Sequence, residues 1–172
     1  MTIDLADLAR DIRILKDIEE IKRLKHRYFR CIDMANLTEL AELLHEDVTV
    51  DFVGGTYRFQ LTGRDEYVRM IGQAFHAEFV GQHNGHHPEI DVLSETEATG
   101  VWYLSDVALN LRSNVSTSGS SLYRDRYVKV DGVWKIRETA YHRIFEIVEP
   151  IEKRPNLTAH YLALHGQKLP EA

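Results

Sequence analysis

Apolar residues recur at spacings of three and four through Leu5, Leu8, Ile12 and Leu15. Ile18, Ile21, Leu24, Tyr28, Cys31 and Ile32 continue the stripe, which predicts helix over residues 4–35. Asp17 and Glu20 stand at capping-box spacing, so a break into two helices is expected near Asp17. Residues 37–45, LTELAELLH, read as a short helix capped by Asn36 or Thr38. The period then falls to two. VTVDFV and TYRFQLT flank Gly54-Gly55 and predict a hairpin. Gly63–Phe79 returns to helical spacing, with Tyr67, Met70, Ile71, Ala74 and Phe75 on one side.

From residue 82 the chain is strand-rich. His83–Asp106 reads as two strands joined by the polar turn Ser94–Thr96, with Trp102, Leu104, Asp106 and Ala108 on one face of the second. A tight turn there would bring the His83 and Asp106 ends to the same edge of the sheet. Leu109–Ser121 is rich in Ser, Thr, Asn and Gly and reads as a loop. SLYRDRYVKV and VWKIRETAYHRIFEIV are long strands about Asp131-Gly132, a type I′ turn signal. Pro150 and Pro155 end the regular structure, and the tail holds a short helix near Thr158–Leu164. Helices, a hairpin, a helix and four long antiparallel strands make an α+β fold, helices against one curved sheet. Such a sheet closed by helices forms a cone whose mouth suits a small apolar molecule.

At 172 residues the chain is expected to be a single domain, large enough to bury roughly two-thirds of its unfolded surface. A net charge of −6, with no basic block beyond pairs such as Lys22-Arg23, argues against nucleic acid or an anionic membrane as partner. No apolar run approaches the length of a membrane span, and the acidic, amphipathic MTIDLADLARDI is unlike a signal peptide. A single cysteine, Cys31, excludes an internal disulfide and any cysteine-based zinc cluster. A cytoplasmic address follows by default. No G-x-G-x-x-G or P-loop is present, and no cofactor is expected. His83, His86 and His87 invite a metal reading, but Gly85 and Pro88 break the strand and the spacing matches no diagnostic ligand set, so no metal is expected. Apolar side chains around His83 and Asp106 are surroundings that tune ionisable groups for catalysis.

EEIKRLKHRYFRCID, HNGHHPEI, ATGVWYLSD and DGVWKIRETAYHRIFE together resemble the SnoaL-like branch of the nuclear-transport-factor-2-like superfamily, with a scytalone dehydratase-like fold. Within that branch they look most like the bile-acid 7α-dehydratases. The likeness covers about residues 17–147, leaving 148–172 as a tail that could pack on a neighbouring subunit. It implies a cone-shaped α+β barrel, N-terminal helices on a strongly curved, mostly antiparallel sheet, and a homo-oligomer, a trimer by preference. It also implies a cofactor-independent lyase that dehydrates a hydroxylated polycyclic or steroid-like ketone. Carried over residue by residue, the catalytic positions match Tyr28, Asp33, His83 and Asp106. Arg143, Trp102 and Tyr141 are the expected substrate-binding residues. Two departures bear on substrate identity: His87 stands where relatives have a smaller residue, and the 112–121 loop differs in length and composition.

Elimination of water needs a base for a carbon-bound proton and an acid for the departing hydroxyl. Histidine titrates near neutrality and suits the first task. Asp33 on its other ring nitrogen would fix the tautomer, Tyr28 would donate to the enolate oxygen, and a protonated Asp106 would serve the leaving group. If Arg143 pairs with Asp106 instead, that acid role weakens. Arg143 shares a strand face with Thr139, Tyr141 and Phe145 by simple alternation. Tyr28 and Asp33 lie about 140° apart on an unbroken helix, so they converge only if the helix ends or bends near Cys31. Two rival readings stand: isomerisation, polyketide cyclisation or dehydrohalogenation in the same pocket, and a non-catalytic ligand binder or oxygenase accessory subunit.

Overall fold

The computed structural model describes residues 4–170. The first three residues of MTIDLADLARDI and the last two of the tail lie outside them. One 29-residue helix, α1 (Leu5–Asp33), opens the fold, capped by Asp4 accepting from the Ala6 N–H at 2.9 Å. The expected break at Asp17 does not occur. Asp17 accepts from Trp134 Nε1 at 3.0 Å and Lys129 Nζ at 2.5 Å, so the sheet takes the carboxylate that a cap would have used. The early stripe through Leu5, Leu8, Ile12 and Leu15 stays exposed, and core packing by α1 starts at Ile21.

Asn36 caps α2 (Leu37–Leu43), accepting from the Glu39 N–H at 3.3 Å. Then come β1 (Leu44–Val53), β2 (Arg58–Thr62), α3 (Arg64–Ala74), β3 (Phe79–Val92), β4 (Glu97–Asn110), β5 (Val115–Val130), β6 (Val133–Pro150) and α4 (Tyr161–His165). The six strands form one open sheet in the order β2-β1-β6-β5-β4-β3. Every pairing is antiparallel except β1 with β6. The helices cover the face onto which Ala98, Trp102, Leu104 and Asp106 project from alternate positions of β4. This is the nuclear-transport-factor-2-like α+β architecture.

Asp131 and Gly132 have φ of 50° and 79°, the paired positive values of a type I′ turn. Two expectations need correction. Val115–Ser121 is not a loop: it is the first half of β5, paired to both β4 and β6. Hydrogen bonding on both sides overrides a turn-like composition. Simple alternation also fails in β6. Ser120 pairs with Phe145 and Ser121 with Arg143, leaving Ile144 as the extra residue of a bulge. Beyond it Phe145 turns outward, 54% exposed, and Glu146 turns inward beside Arg143.

The tail folds back on its own chain. Leu162 enters the core, Ala77 N–H donates to the Gln167 carbonyl at 2.9 Å, and His160 Nε2 lies 3.0 Å from the Phe79 carbonyl. No described helix is long and apolar enough to cross a membrane.

Candidate active site

A cavity of about 220 Å³ opens between the helices and the sheet. His83 lies in its wall, on β3. Its backbone N–H donates to Asp33 Oδ2 at 3.0 Å, and its Nδ1 lies 2.5 Å from Asp33 Oδ1. With a carboxylate accepting, Nδ1 carries the hydrogen and Nε2 keeps a lone pair. Asp33 is the last residue of α1 and approaches from outside, in a separate surface cleft that His83 also borders. The helix runs unbroken past Cys31 to Asp33, and of the two residues Tyr28 lines the cavity while Asp33 lines the outer cleft. His83 borders both spaces, lining the cavity and reaching Asp33 through Nδ1.

Close approach of α1 to β3 makes this contact feasible. A Cβ on Gly85 would stand 2.0 Å from Cε2 of the buried Phe29 ring, so only glycine lets the helix sit that near. The Phe29 ring in turn stacks on His83, with centroids 6.3 Å apart and 11° between planes.

Phenols dominate the rest of the cavity. Tyr28 and Tyr67 meet oxygen to oxygen at 2.5 Å, both nearly solvent-inaccessible. Tyr57, from the β1–β2 turn, meets Tyr141 of β6 at 2.7 Å nearer the mouth. Burial pushes the Tyr28, Tyr67, Tyr123 and Tyr141 hydroxyls well above the ordinary phenol range, so all four remain protonated donors near neutrality. Sequence reasoning missed Tyr57 and used Tyr67 only as a helix-face residue. Tyr67 at an inward position among apolar neighbours was the available signal; Tyr57 gave none, because its turn is ordered by contacts distant in sequence.

The His83 and Asp106 ends meet at one edge of the sheet as expected, and the bulge between His86 and Glu89 makes the two residues register partners. Asp106 is not free. Arg143 Nη2 donates to Oδ2 at 2.8 Å and Nη1 donates to Oδ1, a bidentate pair. Arg143 Nε also faces Glu146 Oε1 at 3.1 Å. Burial opposes the guanidinium charge, but the bonds and field of Asp106 outweigh it and raise the Arg143 pKa above its ordinary value. Gly119 lies between Asp106 and Glu146 in the register, where a Cβ would stand 2.4 Å from the Phe145 carbonyl oxygen and 3.3 Å from Arg143 Nη1, so glycine lets β6 and the guanidinium approach this closely. A carboxylate accepting on both oxygens is poorly placed to donate a proton. An arginine held by two carboxylates is equally poorly placed to take an anionic substrate group.

Of the other expected residues, Tyr141 lines the cavity and Trp102 does not. Trp102 is fully buried, donating from Nε1 to Tyr127 at 2.9 Å, and Tyr127 donates to Asp125 at 2.8 Å. Asp125 pairs with Lys25 at 2.7 Å, both side chains without solvent exposure. Lys25 Nζ also lies 4.0 Å from the Tyr123 ring centroid and 4.4 Å from that of Tyr28. Burial lowers the Lys25 pKa against the pull of Asp125. His86 and His87 leave the site: their Nδ1 atoms lie 2.7 Å apart on an exposed bulge, with His86 stacked on Tyr103. Among the described residues, the cluster with cation-ligand proximity is His45, Glu46 and Asp47, adjacent in sequence and away from the cavity.

The sequence pattern of the SnoaL-like domain matches residues 13–140, about three-quarters of the chain. The chain belongs to the SnoaL-like family. Among solved structures, this SnoaL-like protein is similar to a candidate scytalone dehydratase from Novosphingobium aromaticivorans, with TM-score 0.70 and 26% identity over 84% of this chain and 99% of that one. It shares its fold with the hexachlorocyclohexane dehydrochlorinase LinA-type3 from Novosphingobium barchaimii, with TM-score 0.70 and 15% identity over 87% and 99%. An NTF2-like protein with a cystatin-like fold from N. aromaticivorans gives TM-score 0.66 and 22% identity over 84% and 92%.

Proposed function

We propose that this SnoaL-like protein is a cofactor-independent lyase that removes water from a hydroxylated cyclic ketone. The observation that carries the reading is the His83–Asp33 pair, with Nδ1 held at 2.5 Å and the histidine in the wall of a cavity that protonated phenols also line. His83 Nε2 takes the proton from the carbon next to the carbonyl, and Asp33 steadies the imidazolium that forms. The electron pair moves onto the carbonyl oxygen, which the Tyr28–Tyr67 pair receives as a hydrogen-bond acceptor. Collapse of the enolate expels the β-hydroxyl, and the imidazolium returns its proton to it, releasing water. Asp106, bonded to Arg143 through both oxygens, takes no part in proton transfer in this scheme. It and Arg143 brace the wall beside His83. The similarity to a candidate scytalone dehydratase supports the same reaction class.

A cavity of about 220 Å³ is smaller than typical sites for drug-sized ligands, roughly 300–1,000 Å³. One or two fused rings fit within it. A four-ring steroid body, which the resemblance to bile-acid dehydratases suggests, would extend through the mouth. Dehydrohalogenation is the second reading, favoured by the fold shared with a dehydrochlorinase; it uses the same base with a halide as leaving group.

The test is a screen of two-ring and four-ring β-hydroxyketones, following ultraviolet absorbance of the new conjugated double bond, wild type against His83→Ala. Turnover lost by about 10²–10⁴-fold with the fold intact is the expected result. Equal turnover by both proteins would sink the assignment of the base.

A further inference from the structure

The two phenol pairs carry more hydrogen-bond donors than they use. Tyr28 and Tyr67 own two hydroxyl hydrogens, and the bond between their oxygens consumes one. Tyr57 and Tyr141 repeat the count. Each pair therefore has one O–H left to offer, and all four residues line the same cavity. The pairs differ in depth. Tyr28 and Tyr67 are 2% and 1% exposed, whereas Tyr57 is 40% exposed at the mouth. Phe52 packs against a ring of each pair, its centroid 6.3 Å from the Tyr67 ring and 4.3 Å from the Tyr141 ring, stacked on the latter at 13°. The cavity they share, about 220 Å³, is otherwise walled by apolar side chains such as Phe52, Phe59 and Ile71, and its volume suits a small aromatic body.

The mouth pair is held in place by its surroundings. Gly54 N–H donates to the Tyr57 carbonyl at 2.9 Å, and Gly55 N–H donates to Glu146 Oε2 at 3.2 Å. A Cβ on Gly54 would lie 2.0 Å from Tyr57 Cε1, so the ring lies directly on the glycine. Glu146 is turned inward by the bulge at Ile144 and fastened to Arg143. Two segments distant in sequence, the β1–β2 turn and β6, cooperate to fix one exposed hydroxyl. Surface tyrosines need no such arrangement.

We infer that Tyr57 and Tyr141 form a second recognition point, selecting a flat substrate with an acceptor oxygen at each end. Resting on the proposed reaction, one oxygen is the carbonyl held deep by Tyr28 and Tyr67. The other, at the far end of the ring system, is received at the mouth. Tyr57 is then a specificity-determining residue, and substrates lacking the distal oxygen leave its spare donor unmatched.

The test uses two naphthalenes of matched shape: 2,6-diacetylnaphthalene and 2-acetyl-6-isopropylnaphthalene. They differ in one acceptor oxygen, and neither carries a leaving group, so binding is read by calorimetric titration independently of turnover. The wild type is expected to bind the diketone roughly three- to tenfold more tightly, the worth of one net hydrogen bond. In Tyr57→Phe/Tyr141→Phe the two probes bind equally, with the mono-ketone affinity little changed. Either single variant keeps part of the preference, because the remaining phenol still has its own O–H. Equal binding by the wild type, a preference that survives in the double variant, or no saturable binding of either probe overturns the inference. The wild-type comparison needs no variant and stands even if the double variant fails to fold. A lyase that discriminates neither probe would still lose turnover in His83→Ala, so the two readings fail separately.

Discussion

Of the acid–base pairs that join α1 to the sheet, two have opposite fates. Lys25–Asp125 is sealed: both side chains are without exposure, and aromatic rings flank the ammonium. His83–Asp33 is open: its side chains are 17% and 24% exposed, and the histidine lines the cavity. Both carry the same nominal interaction across the same interface. Access separates them. A sealed ammonium can neither exchange a proton with a ligand nor be reached by one, so its contribution is architectural. A histidine with a carboxylate behind it and a void before it can pass a proton. A third arrangement, Glu39 with Arg27 and Arg30, lies at the surface, where water screens it.

The sharpest way to break this comparison is to remove one member of the sealed pair. Lys25→Met leaves Asp125 charged and without its partner, and urea unfolding should report a loss of about 3–5 kcal/mol. Replacing both, Lys25→Met/Asp125→Leu, should recover most of that loss. A double variant no more stable than the single would show that Asp125 has other indispensable work with Tyr127. The open pair should respond the other way. Asp33→Asn keeps the shape of the contact but permits the wrong tautomer, and kcat should fall at least about a hundredfold, with the unfolding midpoint little changed. A large stability loss with kcat intact would exchange the roles assigned to the two pairs.

The exposed cluster gives the smallest effect, and it depends on pH. Bonds from Arg30 and then Arg27 hold the Glu39 carboxyl down at about 2, against an ordinary 4.5. A folded value below the unfolded one means the contribution is complete above about 4.5 and is lost as pH falls toward 2. The stability difference between wild type and Glu39→Gln should be under about 1 kcal/mol and should vanish across that window. A difference that grows on acidification would contradict the pairing.

Much of the scaffold was legible because period and turn chemistry agree with the fold. The four long strands, the Asp131-Gly132 turn and the meeting of the His83 and Asp106 ends at one edge follow from alternation and turn residues, whereas the one-residue shift that sets His83 opposite Asp106 comes from the bulge between His86 and Glu89. Where the sequence misled, tertiary partners outweighed local signals. Asp17 has the spacing of a cap, but Trp134 and Lys129 claim its oxygens. Val115–Ser121 has the composition of a loop, but strands on both sides order it. The Ile144 bulge is invisible in the pattern, yet it decides that Glu146 rather than Phe145 reaches Arg143. Trp102 was expected near substrate; its indole instead supports Asp125 through Tyr127. The His83–Asp33 contact rests on the missing side chain of Gly85, which a list of ionisable residues does not reveal.

The parallel pairing of β1 with β6 has a consequence for how the protein is made. Thr49–Val53 must wait for Glu138–His142 before they can dock, and Tyr57 waits 84 residues for Tyr141. During synthesis the first hairpin leaves the ribosome with one edge unpaired and the future mouth without its far wall. Closing so long a loop is slow relative to forming the β3–β4 and β5–β6 hairpins. The mouth of the cavity is therefore among the last features to assemble, and a nascent chain stopped before residue 133 would present an unpaired β1 edge to its neighbours.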